Sequence, residues 1–309
     1  MRQLCLKMVH ELARADERVV FIGSDLGAGT LAAFREEFPD RFFMEGVSEA
    51  NVLGMAAGLA MEGHIVYVNT LAVFITRRAF EQASLDIAMH NLNVRLIGNG
   101  GGLVYAPLGP THMAIEDLAL MRAIPNMTIV APADACEMGR LMPQIHEIKG
   151  PVYIRLAKGN DPVVTSELEP PAIGKALVAR QGSDVLLATT GITLAIALQA
   201  ADVLAHDGLD AKVLHFHTVK PLDVETLVRE ASSAKIVVSI EEHVMSGGLG
   251  SAVAEVIAEA RWNAPKTFRR VALPDAFPSL YGSQAGQLQE AGVTAERIVE
   301  LVRDRKSGV

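Results

Sequence analysis

The sequence has little that would point to a secreted, membrane-bound or nucleic-acid-binding protein. It contains two cysteines, Cys5 and Cys136, so it has neither a disulfide framework nor a zinc-binding spacing. Its net charge of −8 gives no electrostatic reason to expect a nucleic-acid partner. No apolar run approaches the length of a membrane span, and charges interrupt the start too early for a secretory signal. We therefore expect a cytoplasmic protein without a membrane partner.

Phosphate-binding motifs are also absent. The glycine-rich turn at 23–30 lacks the Lys-Ser/Thr of a P-loop and the spacing of a dinucleotide-binding fingerprint. What the chain does have is apolar residues, which make up 50% of its 309 residues, against 21% that are charged. That balance argues against disorder, and the length suits one large or two ordinary domains.

Short apolar strands alternate with amphipathic helices along the whole sequence. One helix is predicted over 2–15, and another over 135–148 with Asp134 as its cap. Such alternation predicts an α/β fold with a parallel sheet covered by helices on both faces. A proline-containing, charged stretch divides the pattern. We therefore predict a first domain at 1–157, a linker at 158–172 and a second α/β domain at 173–309.

An acidic residue at the start of a small-residue helix organises the first domain. Ser48 is a plausible helix cap, which places Glu49 at the first helical position. Gly54 and Gly58 follow on one face of this helix, where another element can approach closely. A helix of Ala, Gly, Met and Leu is suited to burial, and a buried carboxylate needs a partner that the nearby sequence does not supply. The alternative is a solvated charge favoured by the helix dipole.

The order Glu49, Gly54, Met55, Gly58, Leu59 resembles the pyrimidine-binding domain of the transketolase family of thiamine-diphosphate enzymes. The resemblance implies thiamine diphosphate as cofactor. It also implies that Glu49 hydrogen-bonds a ring nitrogen of the aminopyrimidine and so helps to remove the proton from the thiazolium carbon. A carboxyl that shares a proton with the cofactor is the group such chemistry needs.

The same resemblance assigns further residues around the cofactor. Asp25, in the first glycine-rich turn, would reach the cofactor from the side, and Phe74 would stack on the aminopyrimidine ring. His112, in a Gly-Pro-Thr-His run, would face the substrate as a catalytic residue. The ordinary alternatives are a core phenylalanine and a solvated loop histidine.

Substrate-binding residues are implied in the loop at 98–112 and at the end of a later strand. Arg155 stands where the family carries an arginine for a sugar phosphate, the alternative being a surface arginine. Sugar-phosphate transketolases use a histidine and an aspartate where this chain has Gly100 and Leu108, with Tyr105 between them. A site built to hydrogen-bond a hydroxyl strongly rejects analogues that lack it, whereas an apolar pocket discriminates weakly and favours apolar groups. We therefore expect ordinary ketose phosphates to be poor donors, compared with a 2-oxo acid or a modified sugar.

The family's metal–diphosphate signature, Gly-Asp-Gly with a later Asn, is absent from this sequence, whose nearest imitation is His206-Asp207-Gly208. The resemblance therefore implies a split enzyme. An N-terminal transketolase-like subunit would carry that signature and ligate Mg²⁺, while this chain supplies the pyrimidine and C-terminal domains. Oxygen ligands of that kind suit Mg²⁺. Self-association through the second domain would make the complex a heterotetramer.

Three functions are compatible with this pattern. The first is the C-terminal subunit of a transketolase-like carboligase that transfers a two-carbon unit to an aldehyde. The second is the β subunit of a 2-oxo acid dehydrogenase complex, which the Gly-Pro-Thr-His segment favours less. The third is a non-catalytic scaffold descended from such a subunit, against which the full Glu49 motif argues.

Overall fold

The computed structural model describes residues 1–24, 29, 31–159, 161–279 and 281–304. These residues form two α/β domains, each with its own sheet and with helices on both faces. This confirms the predicted fold class. Asp25, one of the predicted cofactor contacts, lies outside the described residues.

The first domain holds six strands and five helices of the described chain. The strands are β1 Val19–Gly23, β2 Phe42–Met44, β3 Ile65–Leu71, β4 Val94–Asn99, β5 Thr128–Val130 and β6 Val152–Leu156. The helices are α1 Arg2–Ala15, α2 Ala32–Glu37, α3 Glu49–Met61, α4 Asp117–Ala123 and α5 Ala135–Glu147. Two π-helical segments and two 3-10 turns complete it: Phe74–Arg78, Gln82–Ala88, Pro39–Arg41 and Ala106–Leu108.

The second part of the chain has the same alternation. Its strands are β7 Leu177–Arg180, β8 Val185–Thr189, β9 Ala211–His215, β10 Thr218–Lys220, β11 Ile236–Val244 and β12 Thr267–Leu273. Its helices are α6 Thr193–His206, α7 Val224–Ala231, α8 Leu249–Glu259, α9 Gln284–Glu290 and α10 Ala295–Arg303.

Two short strands depart from the predicted parallel pattern. The first sheet runs β10-β5-β6-β4-β3-β1-β2, and β10 joins it antiparallel, with Thr218 opposite Val130. The second sheet runs β12-β11-β8-β9-β7, and β7 lies antiparallel on its edge. The remaining pairs are parallel. Strand β10 follows β9 in the chain but pairs with β5 in the first sheet. A segment from the second part of the chain therefore completes the sheet of the first domain.

Alternation along the central strands separates the two cores of the first domain. In β3, Val66 and Val68 enter the core under α3, whereas Ile65 and Tyr67 enter the core under α1 and α5. Successive side chains of a strand point to opposite faces, so a strand covered on both sides is apolar at almost every position. Among the described helices, none is long and apolar enough to cross a membrane.

Helix α3 begins at Glu49, as predicted, with Ser48 at its N-cap position. The Ser48 hydroxyl makes no capping bond and donates instead to the Glu45 carbonyl at 3.1 Å. Gly54 and Gly58 lie on an exposed face, where an added Cβ would meet no described atom within 4 Å. This face of α3 is therefore open in the single chain.

Candidate active site

Glu49 lies in the interior at the mouth of α3. Its exposed fraction is 2%, so the alternative of a solvated charge is wrong. Its Oε2 accepts a hydrogen bond at 2.8 Å from Nη1 of Arg78, whose side chain is 51% exposed. The buried carboxylate thus has a partner that reaches it from the solvent side.

Phe74 and Arg78 lie on the same π-helical segment. The Arg78 guanidinium lies over the Phe74 ring, 4.8 Å from its centroid, in cation–π contact. On another side, Phe74 meets the His112 ring edge-on, with centroids 5.5 Å apart. The structure therefore brings Glu49, Phe74 and His112 into one continuous group through Arg78.

The loop from Gly100 to His112 follows β4 at the carboxyl end of the parallel sheet. Gly100 has φ +73°, and a Cβ there would collide with the Tyr105 ring. Leu108 is half-exposed, and the His112 ring is bonded through Nδ1 to the Thr111 hydroxyl at 2.9 Å. Tyr105, Leu108 and His112 thus share one loop, with Tyr105 beside Gly100.

Arg155 is buried, so its interpretation as a surface arginine is wrong. Its Nε and Nη2 donate to Asp117 at 2.8 and 3.1 Å, and Nη2 also donates to the Glu242 carbonyl. Burial alone would lower the pKa of this guanidinium, but the Asp117 carboxylate raises it on balance. The cavity beside Arg155 holds about 10 Å³, which is room for one water and not for a phosphate. Arg155 thus forms an ion pair with Asp117 within the first domain and a hydrogen bond to a main-chain carbonyl of the second domain.

Three residues near the site were missed by sequence reasoning: Arg78, Asp117 and Glu242. Arg78 had a local signal, because it lies four residues after Phe74 and a helical segment brings such positions together. Asp117 and Glu242 had none, since their partners are distant in the chain. Among the described residues, no three His, Cys, Asp or Glu side chains are grouped so that they could hold a metal ion.

Fold and site together define an α/β domain with a buried carboxylate at a helix start, joined to a second α/β domain. The family model described as "Transketolase, pyrimidine binding domain" matches residues 1–163, and "Transketolase, C-terminal domain" matches residues 174–298. The chain therefore belongs to the transketolase family.

Several relatives are named as transketolase subunits. The chain is 38% identical to a 6-deoxy-6-sulfo-D-fructose transketolase subunit, SqwH, of Clostridium sp. (strain MSTE9), over 98% of this chain and 94% of the relative. It is 35% identical to an apulose-4-phosphate transketolase subunit of Actinobacillus succinogenes, over 92% of this chain and 90% of the relative. A solved structure described as a split gene transketolase, inactive beta4 tetramer, matches with a TM-score of 0.89 at 38% identity and covers 98% of this chain and 97% of that one.

Proposed function

We propose that this chain is the C-terminal subunit of a two-part, thiamine-diphosphate-dependent transketolase-like enzyme. It would transfer a two-carbon ketol or acyl unit from a ketose or 2-oxo acid to an aldehyde. The observation that carries the proposal is the buried Glu49 at the start of α3, joined through Arg78 to Phe74 and His112.

The residues around Glu49 fit the pyrimidine half of the cofactor. The Arg78 guanidinium is a planar nitrogen-bearing group that donates to Glu49 and lies over the Phe74 ring. An aminopyrimidine is also planar and nitrogen-bearing, so the same carboxylate and ring suit it. Because Arg78 is half-exposed, it can leave the carboxylate without unfolding the core.

Each side chain has a distinct task in this proposal. Glu49 holds the proton at the pyrimidine nitrogen, Phe74 orients the ring, and His112 donates a hydrogen bond to the substrate oxygen. When bound, thiamine diphosphate supplies the carbanion chemistry, while the protein positions and polarises.

A partner subunit is part of the proposal. It would carry the Gly-Asp-Gly…Asn motif and hold the diphosphate through Mg²⁺. The relatives named as transketolase subunits and the solved structure described as a split gene transketolase support this organisation. The tetrameric solved relative, which is described as inactive, supports self-association of this chain into the core of a heterotetramer. The complex would work in the cytoplasm, where the free thiols of Cys5 and Cys136 are stable.

Reconstitution tests this organisation. The isolated chain should fold yet bind thiamine diphosphate weakly or not at all in calorimetry, and the assembled pair should bind it in a Mg²⁺-dependent way. Tight Mg²⁺-dependent binding by the chain alone would refute the split. Acyl transfer to a lipoyl domain would favour the 2-oxo acid dehydrogenase alternative. An assembled pair that binds no cofactor would favour the scaffold alternative.

The donor is proposed to be less hydroxylated or modified compared with an ordinary ketose phosphate. Leu108 offers no hydrogen-bonding group, and a desolvated, unpaired hydroxyl costs about 1–3 kcal/mol. The two relatives named for a sulfo-sugar and for apulose 4-phosphate support a modified sugar as donor.

Donor preference can be measured on the reconstituted pair with xylulose 5-phosphate, pyruvate and modified ketoses. Leu108→Asp should shift the preference toward xylulose 5-phosphate, while the neutral, similarly sized Leu108→Asn should shift it less. Gly100→His, which would place a histidine in the same loop, is not a suitable second substitution. Gly100 has a positive φ, and the Tyr105 ring leaves no room there for a side chain. Efficient turnover of xylulose 5-phosphate alone by the unmodified pair would overturn the donor proposal.

A further inference from the structure

A buried glutamate of the second domain reaches the loop that carries the candidate substrate residues. Glu242 lies on β11 and is 2% exposed. Its Oε1 accepts from the Leu103 amide at 2.9 Å and from Nε2 of Gln284 at 2.7 Å. Its main-chain carbonyl accepts from Nη2 of Arg155 at 2.8 Å. One residue of the second domain therefore contacts the start of the loop, α9 and the end of β6.

The glycine run that opens the loop is shaped around these groups. A Cβ at Gly102, whose φ is +68°, would lie 2.5 Å from Cδ of Glu242. A Cβ at Gly101 would lie 2.5 Å from Cγ of Arg155. Backbone can approach a carboxylate and a guanidinium this closely only without side chains of its own. The glycines thus serve the docking of the loop on the second domain.

The far part of the loop has a second contact with the same domain. A Cβ at Gly109 would lie 2.5 Å from Cε1 of Tyr281. Between the two contacts, the amides of Ala106, Leu108 and His112 donate to carbonyls within the loop itself. These internal turns give the loop its shape but do not tie it to either domain.

We propose that Glu242 is a positioning residue that holds the loop at 103–112 so that His112 and Leu108 face the substrate. The inference rests on the proposed function for the role of those two side chains. The docking itself is independent of that role, because it rests on the contacts of the loop with Glu242 and Tyr281. A hydrogen bond to a buried carboxyl is among the stronger kinds, and here it joins two domains.

The protonation state of Glu242 shows which substitution would keep its hydrogen bonds to the loop. Burial raises the pKa of this carboxyl to about 7, although the Arg155 guanidinium opposes the rise. A proton on Oε2 leaves Oε1 free to accept from both Leu103 and Gln284. Glutamine has the same shape and keeps that acceptor. Glu242→Gln should therefore hold the loop, whereas Glu242→Ala should release it.

Amide hydrogen exchange on the isolated chain measures the release. In Glu242→Ala, exchange at the loop amides should accelerate about 10- to 100-fold, the range expected when a buried amide loses its acceptor. The matched control is Glu241→Ala. Glu241 is equally buried, but its oxygens accept from the amides of Leu249 and Gly250 in the second domain. That control should leave the loop unchanged, and Glu242→Gln should stay close to the unmodified chain.

Unchanged loop exchange in Glu242→Ala, or an equal acceleration in Glu241→Ala, would overturn the proposal. Should Glu242→Ala fail to fold, Gly102→Ala perturbs the same contact from the loop side with the carboxyl retained. It should accelerate the same amides, and a protected loop in that variant would equally overturn the proposal.

Kinetics of the reconstituted pair separate this inference from the function on which it rests. Glu242→Ala should raise the KM for substrate about 10-fold or more, with cofactor affinity unchanged, and Glu242→Gln should restore it. An inactive unmodified pair would count against the proposed function, while the exchange result would still decide whether Glu242 docks the loop.

Discussion

Removing the Arg155 guanidinium should destabilise the fold rather than weaken substrate binding alone. Arg155 and Asp117 are 6% and 0% exposed, and two nitrogens of the arginine donate to that carboxylate. Arg155→Met would leave Asp117 with the Tyr153 hydroxyl, which donates to it at 2.7 Å, and no cation in contact. Breaking a buried ion pair by removing one partner costs about 3–5 kcal/mol.

Denaturant unfolding of the isolated chain at neutral pH measures this cost. The double variant Arg155→Met/Asp117→Asn should recover most of the loss, because a neutral amide does not need the guanidinium. Arg297→Met is a matched control. Its ion pair with Glu300 is exposed on both sides, so the free energy of unfolding should change by less than about 1 kcal/mol.

The opposite pattern would refute the reasoning. If Arg155→Met lowered the free energy of unfolding by less than about 1 kcal/mol while strongly raising the KM for a phosphorylated substrate, Arg155 would be a substrate residue. The ion pair with Asp117 would then be a contact that substrate displaces.

The remaining predictions concern the cofactor site and pH. In the assembled complex, Glu49→Gln should slow exchange of the thiazolium proton in deuterated buffer about 10²–10⁴-fold with assembly intact, and an unchanged rate would leave Glu49 as a helix-start charge only. Phe74→Ala should weaken cofactor binding in calorimetry more than it slows that exchange. The folded-state pKa of Glu242 is raised from 4.5 to about 7, so its contribution to stability is complete below 4.5 and is lost as the pH rises through about 7. Across that window the unmodified chain should lose about 3 kcal/mol relative to Glu242→Gln in the free energy of unfolding. Arg155 and Asp117, the charged groups near this carboxyl, are present in both proteins. A difference in the free energy of unfolding that does not change with pH would contradict the prediction.

Local signals predicted the fold well where an element is long and periodic. Helix α1 ends at Ala15 as expected, and α5 begins after Asp134, whose side chain accepts from the Glu137 amide. The short antiparallel strands β7 and β10, of four and three residues, lie outside the parallel alternation that the sequence predicted. Strand β10 also takes its partner from the other domain, and no pattern within its own segment encodes that pairing.

The burial of the candidate site residues was predictable where it follows from the composition of the surrounding helix. An Ala- and Gly-rich helix implied that Glu49 is buried, and the structure confirms this burial. Its partner was not predictable, because Arg78 is 29 residues away and reaches Glu49 only through the π-helical turn. The bond between Glu242 and the Leu103 amide spans 139 residues, so it exists only once both domains have docked.

These contacts divide the candidate chemistry between the two domains. The carboxylate and the ring that the proposed function assigns to the cofactor, Glu49 and Phe74, belong to the first domain, where α3 and the turn after β3 place them. The loop that would meet the substrate leaves the first domain but docks on Glu242 and Tyr281 of the second. A change on the second domain can therefore reshape the substrate side of the site without disturbing Glu49. Under the proposed function, such a division would let one cofactor site serve different substrates, because the loop could vary while the helix that carries Glu49 stays the same.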